Sequence, residues 1–148
     1  MAVEASPEPW ATIQEASRRS GLTEPTLRYY EQIGLIDPVP RDESSGHRRY
    51  SAEAVERLEA LACLRGAGMG IGDMRVHLEL LTEGNAAAEQ QQELFERHAA
   101  RLAAEVDGLR LRLDYLTLKA ELWAARARED EAAEQAAIVA LTALIAQF

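Results

Sequence analysis

Three groups of side chains in this sequence have the types and spacing that chemistry needs. Thr23, Thr26, Arg28 and Tyr29 stand close together at the start of one short amphipathic stretch. That is the part of a recognition helix that reaches base edges in a major groove. An arginine fork there can grip a guanine edge or a phosphate, and a tyrosine hydroxyl can hold the DNA backbone. His47, Arg48 and Arg49 follow Gly46 in a run of turn residues, and Arg18 and Arg19 lie just upstream of the first group. A tight turn would present the former to phosphates beside the groove, and the latter could meet phosphate from a neighbouring helix. The third group is a single residue, Cys63, whose thiolate would be a nucleophile toward aldehydes, quinones or oxidants. The plainer alternative makes Leu27 and Tyr30 core, leaves Arg28 in solvent and treats Cys63 as a small hydrophobe.

These residues need short helices and a turn to position them. Residues 1–11, with prolines and acids, read as a flexible lead. Thr12 with Glu15 forms a capping-box pattern for a helix that should stop at Gly21. Thr23 caps a second helix, with Glu24 and Pro25 in its first turn, running to Gln32 before Gly34. Two short helices around Ser20-Gly21-Leu22 are the outline of a helix-turn-helix. Prolines extend the chain from Leu35 to Pro40, and residues 42–46 supply turn chemistry for a small hairpin, or wing. Ser51 and Glu53 open a third helix with an Ala54, Val55, Leu58, Leu61, Ala62 stripe. A fourth carries Ile71, Met74, Leu78 and Leu81.

From about residue 87 to 128 there is no proline, which predicts one helix of roughly 40 residues, about 60 Å long. Phe95, Ala99, Leu102, Val106, Leu109, Leu113, Leu116, Ala120, Trp123 and Ala127 keep strict +4, +3 spacing along it, the pattern of a coiled-coil seam. Such a seam needs a partner, and a second copy of the chain fits better than a fold-back on its own small head. Residues 129–148 form a tail with Ile138, Leu141, Ile145 and Phe148 at heptad spacing. It is expected to pack against the dimer or to form an effector pocket there.

Composition sets the outer limits. The chain has 148 residues, with 16 Lys plus Arg against 25 Asp plus Glu, a formal charge of −9. Lys119 is its only lysine, and aromatic residues are 5%. An Ala- and Leu-rich, aromatic-poor chain is mainly α and excludes a large β fold. The acidity argues against a general nucleic-acid coat, so any DNA-binding face must be assembled by folding. No stretch approaches the roughly 20 apolar residues of a membrane span and no signal peptide opens the chain, so a soluble, cytoplasmic protein without a membrane partner is expected. One cysteine forbids an intrachain disulfide or a Cys-rich metal site, and no cofactor is expected. Gly66-Ala67-Gly68-Met69-Gly70-Ile71-Gly72 lacks dinucleotide-loop spacing and follows a helix. His77 and His98 read as surface or packing residues. No catalytic constellation is evident, and the chain is not expected to be an enzyme.

The run Thr26-Leu27-Arg28-Tyr29-Tyr30-Glu31-Gln32-Ile33-Gly34-Leu35-Ile36, followed by Gly46-His47-Arg48-Arg49-Tyr50 and Leu64-Arg65-Gly66-Ala67-Gly68-Met69, closely resembles the MerR family of transcriptional regulators over about residues 12–123. The resemblance implies a winged helix-turn-helix over residues 12–81 and a dimerisation helix over residues 87–128, paired as an antiparallel coiled coil. It implies a homodimer on palindromic promoter DNA that distorts an overlong spacer, in answer to an effector, so that RNA polymerase engages both promoter elements. Carried over by position, Arg28 and Tyr29 match recognition-helix contacts, His47 and Arg48 wing contacts, and Arg18 or Arg19 a phosphate contact, with Tyr50 a packing residue.

The cysteines of the metal-sensing and iron–sulfur branches are absent, and the chain is too short for a large drug-binding domain. The lone Cys63 and Thr82-Glu83-Gly84 resemble the thiol- and aldehyde-responsive branch. At about 100° per residue, Cys63 lies about 140° from the third helix's apolar stripe, which favours access. Glu59 lies one turn earlier, and an arginine such as Arg65 would have to offset its charge for the thiol to be reactive. A non-covalent small molecule bound near the coiled coil and tail is the alternative effector, and a helical interaction adaptor without DNA binding is the alternative from another class. Abundant Ala and Arg over Lys suggest a GC-rich bacterial genome.

Overall fold

The computed structural model describes residues 9–148, so the first eight residues of the expected flexible lead lie outside it. The described residues form two units, divided between Leu94 and Phe95.

The first unit is the winged head. Trp10–Ala11 forms strand β1, which corrects the sequence reading at the end of the lead. Trp10 pairs with Ser51 and Ala11 with Tyr50 of β2 (Tyr50–Ser51) in antiparallel register. Nothing local distinguishes these two residues from the lead, because the pairing spans about 40 residues of chain. Helix α1 (Ile13–Ser20) starts in the capping box, with the Thr12 amide donating to Glu15 Oε2 and the Glu15 amide to Thr12 Oγ1, both at 3.2 Å. It ends at Gly21, whose φ of 77° is open to glycine at little cost. Helix α2 (Glu24–Gln32) follows directly and is capped by Thr23. Two further helices, α3 (Ala52–Gly66) and α4 (Ile71–Thr82), complete the head.

The head's core gathers Leu27 and Tyr30 of α2, Leu35, Tyr50, Val55, Leu58 and Leu61 of α3, Met74 of α4 and Leu94. Tyr50 is fully buried, so it packs the base of the wing. Its hydroxyl has no hydrogen-bonding partner in the protein, and burial raises its pKa.

After a single 3-10 turn (Gly84–Ala87), helix α5 runs from Ala88 to Ala127 without a break, within one residue of the sequence reading at both ends. In the second unit a left-handed residue, Glu129, reverses the chain, and Asp130 caps α6 (Glu131–Ile145) by accepting from the Ala133 amide at 3.0 Å. Helix α6 returns along α5. Leu122, Ala137 and Leu141 are buried between them, with Tyr115 and Leu118 alongside, and the Tyr115 and Phe148 rings meet edge to face at 5.6 Å. The tail therefore packs on its own α5. Leu111, Tyr115, Leu118, Leu122 and Ala125 form a second apolar stripe about half a turn from the seam. Sequence periodicity missed that stripe because the stronger heptad masked it. Among the described residues, no helix is long and apolar enough to cross a membrane.

Candidate nucleic-acid interface

Helix α2 splits its residues cleanly. Leu27 and Tyr30 point into the core, while Arg28 and Tyr29 face solvent, Tyr29 at 47% exposure. Arg28 lies 3.6 Å from Glu24 one turn earlier, an exposed pair weak enough for a phosphate to displace. Thr23 and Thr26 serve the helix start first. The Thr26 amide donates to Thr23 Oγ1 at 3.3 Å, and the two hydroxyls share a 2.8 Å hydrogen bond. Their place at the helix N-terminus still lets them approach a phosphate. Arg18 is exposed at the end of α1, and Arg19 reaches Glu59 of α3 at 3.5 Å.

The wing is a tight turn held by its own side chains. Asp42 Oδ1 accepts from the Ser44 and Ser45 amides at 2.8 and 2.9 Å, and the Gly46 amide donates to the Asp42 carbonyl at 2.8 Å. Gly46 itself sits at φ 73°, which favours glycine there. The Asp42 amide donates to the His47 carbonyl at 2.8 Å, so His47 stands exposed on the rising arm. Arg49 pairs with Asp42. Arg48, a wing residue expected at the DNA, is also held by a partner within the head. Its Nε donates to Glu31 Oε1 at 3.0 Å, with about four-fifths of each side chain covered, so it ties the wing to the recognition helix. Glu31 Oε2 also accepts the Val39 amide at 3.1 Å. Burial pushes the Glu31 carboxyl up, but the Val39 amide, the Arg48 hydrogen bond and the Arg48 and Arg41 charges outweigh it and hold the pKa below its ordinary value. This Glu31 latch was not legible in the sequence, where its partners lie 8 and 17 residues away.

Arg65 is a further cation that spacing did not single out. From the end of α3 its Nη1 reaches Thr26 Oγ1 at 3.5 Å, so it stands beside the start of α2. Cys63, two residues earlier, is exposed, and Glu59, the acid one turn before it, lies against Arg19. Among the described residues, no three His, Cys, Asp or Glu side chains are grouped to hold a metal. On α5, Leu102, Val106, Leu109, Leu113, Leu116 and Trp123 are all exposed, Leu113 and Leu116 at 64%.

Comparisons with known proteins converge on one family. The sequence profile described as the MerR HTH family regulatory protein matches residues 11–81. The HTH-type transcriptional regulator AdhR of Bacillus subtilis is 38% identical over 61% of this chain, a match spanning 64% of that relative's length. An HTH-type transcriptional regulator of Haemophilus influenzae is 32% identical over 73% of this chain and 79% of its own. Among solved structures, HiNmlR, described as a MerR family regulator lacking the sensor domain and bound to promoter DNA, is similar with a TM-score of 0.66 at 29% identity. It covers 86% of this chain and 95% of its own. A MerR family regulator from Listeria monocytogenes gives a TM-score of 0.67 at 32% identity, over 87% and 97%. A helix-turn-helix head followed by a long helix is the fold shared with these solved structures, and the chain belongs to the MerR family.

Proposed function

We propose that this protein is a transcriptional regulator that binds palindromic promoter DNA as a homodimer and acts by distorting that DNA, so that RNA polymerase engages the promoter when an effector is present. The observation that carries the reading is the outward face of α2. Arg28 and Tyr29 are exposed there, and Glu31 on the same helix holds the wing so that His47 stands clear beside it. Arg18, Arg19, Thr23, Thr26 and Arg49 complete the contact set, with Arg65 added from α3. A solved relative of the same fold carries promoter DNA, which supports the assignment.

The effector acts through the exposed Cys63 thiol, which is open to electrophiles and lies two residues from Arg65 on the contact face. A second reading has its own observation: a shallow groove of about 320 Å³ between α5 and α6, lined by Asp114, Thr117, Leu118, Ala140 and Leu144, could take a small amphipathic ligand.

Binding selection from a random-sequence duplex pool tests the main reading. Enrichment of a palindrome is expected, and Arg28→Ala should weaken binding to the enriched duplex by about 5- to 150-fold, the effect of one base or phosphate anchor. Absence of any enriched sequence would favour the adaptor without DNA binding. N-ethylmaleimide treatment then separates the effectors, because modification should change the DNA complex of the native chain and leave that of Cys63→Ser unchanged.

A further inference from the structure

Helix α2 has nine residues and no basic residue in its last turn. Its final carbonyls therefore lack the cation that often offsets the negative end of a helix. The turn that follows satisfies two of them, as the Gly34 amide donates to the Glu31 carbonyl at 3.1 Å and the Leu35 amide to the Tyr30 carbonyl at 2.9 Å. The Ile33 carbonyl is met from another helix. Arg75 of α4, 42 residues further along the chain, donates to it from Nη2 at 2.8 Å in a partly buried setting. A charged donor on a helix C-terminus makes a stronger bond than a neutral one. Gly34 allows the turn at φ 72°, and the guanidinium lies beside it, with Nη1 3.9 Å from where a Cβ would stand.

The same stretch of α4 holds the start of α5. Met74, next to Arg75, is buried in the head's core together with Leu94. Two residues beyond Arg75, His77 meets Gln91 of α5 at two points. Gln91 Nε2 donates to the His77 carbonyl at 3.0 Å, and Gln91 Oε1 stands 2.9 Å from His77 Nδ1. With Oε1 as the acceptor, the imidazole donates from Nδ1. Hydrogen bonds are directional, so a two-point contact restrains rotation as well as distance. The head unit runs to Leu94, and these first turns of α5 are part of it.

We infer that Arg75 is a positioning residue for DNA recognition, and that α4 ties the recognition helix to the base of α5 through Arg75 on one side and Gln91 on the other. This rests on the proposed DNA-binding homodimer and adds residues that hold its contact face without touching DNA. The two contacts divide the work. Arg75 joins α2 to α4 within one head, so it acts at every half-site. Gln91 joins α4 to α5, so it acts only where two heads must bind together at a set spacing.

Binding of the full chain to the selected palindrome, to a duplex holding one half-site, and to palindromes one base pair longer or shorter tests this. Arg75→Met should weaken half-site binding about tenfold, the effect of losing one charge-assisted hydrogen bond, and keep the salt slope of the native chain. A slope shallower by about one would mean that Arg75 itself neutralises a phosphate, and would overturn the positioning role. Arg75→Lys, which keeps a cation for the Ile33 carbonyl, should return most of the loss. Gln91→Met should leave half-site binding unchanged, weaken palindrome binding and flatten the preference for the native spacing. A spacing preference equal to that of the native chain would sink the role given to Gln91. Hydrogen exchange of the free protein supplies a readout that needs no DNA: the amides of Gly34, Leu35 and Ile36 should exchange faster in Arg75→Met and at the native rate in Gln91→Met. Unchanged exchange in Arg75→Met would overturn the link between α4 and α2. Faster exchange in a protein whose native chain enriches no duplex would instead overturn the DNA reading, and the positioning role with it.

Discussion

Glu31 shows how one side chain sets a surface that it does not itself present. Its carboxylate takes the Val39 amide and Arg48, and those two contacts join the turn after α2 to the wing. Replacing it by glutamine keeps an acceptor for the amide and removes the ion pair. Glu31→Gln should cost about 1 kcal/mol, less than a fully buried charged hydrogen bond contributes, because solvent reaches the pair and glutamine keeps an acceptor. DNA affinity should fall with it as the wing loosens. The sign of the pH effect follows from the depressed pKa: the contribution is present above the unfolded carboxyl value of about 4.3 and is lost as pH falls through the lower folded value. Urea unfolding from pH 7 to 3 should therefore show a smaller acid loss in Glu31→Gln than in the native chain. Tyr50 makes the opposite case. Its ring fills the core while its hydroxyl is buried without a protein partner, so Tyr50→Phe should leave stability unchanged or raise it by up to about 1 kcal/mol. A loss of more than about 1 kcal/mol in a thermal melt would show that the hydroxyl is satisfied.

At the scale of elements, the hairpin of α5 and α6 depends on its reversal as much as on its packing. Asp130 accepts the Ala133 amide, and this hydrogen bond first, with the Arg128 contact and charge behind it, holds the carboxyl below its usual range. Asp130→Ala removes the cap directly after the left-handed Glu129, and the first turn of α6 should fray. Hydrogen exchange should speed up at the amides of residues 132–134 and stay unchanged in α1 to α4. Equal speeding in the head would contradict this local effect. The caps of α1 and α2 were legible in the sequence, because Thr12 with Glu15 and Thr23 with Thr26 act within one turn. The return of α6 onto α5 was not, because the residues that receive it share α5 with a longer and more regular stripe.

For the whole molecule, the proposed homodimer depends on the exposed seam of α5. Leu113 is 64% exposed within one chain, so a charge placed there should leave the folded protomer intact and act on association alone. Leu113→Glu should shift sedimentation from dimer toward monomer, leave the helical circular dichroism of the head in place, and weaken binding to a palindromic duplex far more than to a half-site. Loss of folding in the isolated protomer would show instead that Leu113 is covered within its own chain.

The sequence alone determined the features whose causes are local or periodic. The capped helices, the glycine at the end of α1, the wing turn and the unbroken α5 with its seam all follow from residues a few positions apart, and together they carry the family. Only the tertiary structure decided what depends on contacts between distant segments. It brought Trp10–Ala11 against Tyr50–Ser51, gave Arg48 a partner in Glu31, set Arg65 beside Thr26 and laid α6 on the back of α5. A side chain's type fixes which bonds it can make, but which partner lies within 3 Å is set by packing, and packing is a property of the folded chain.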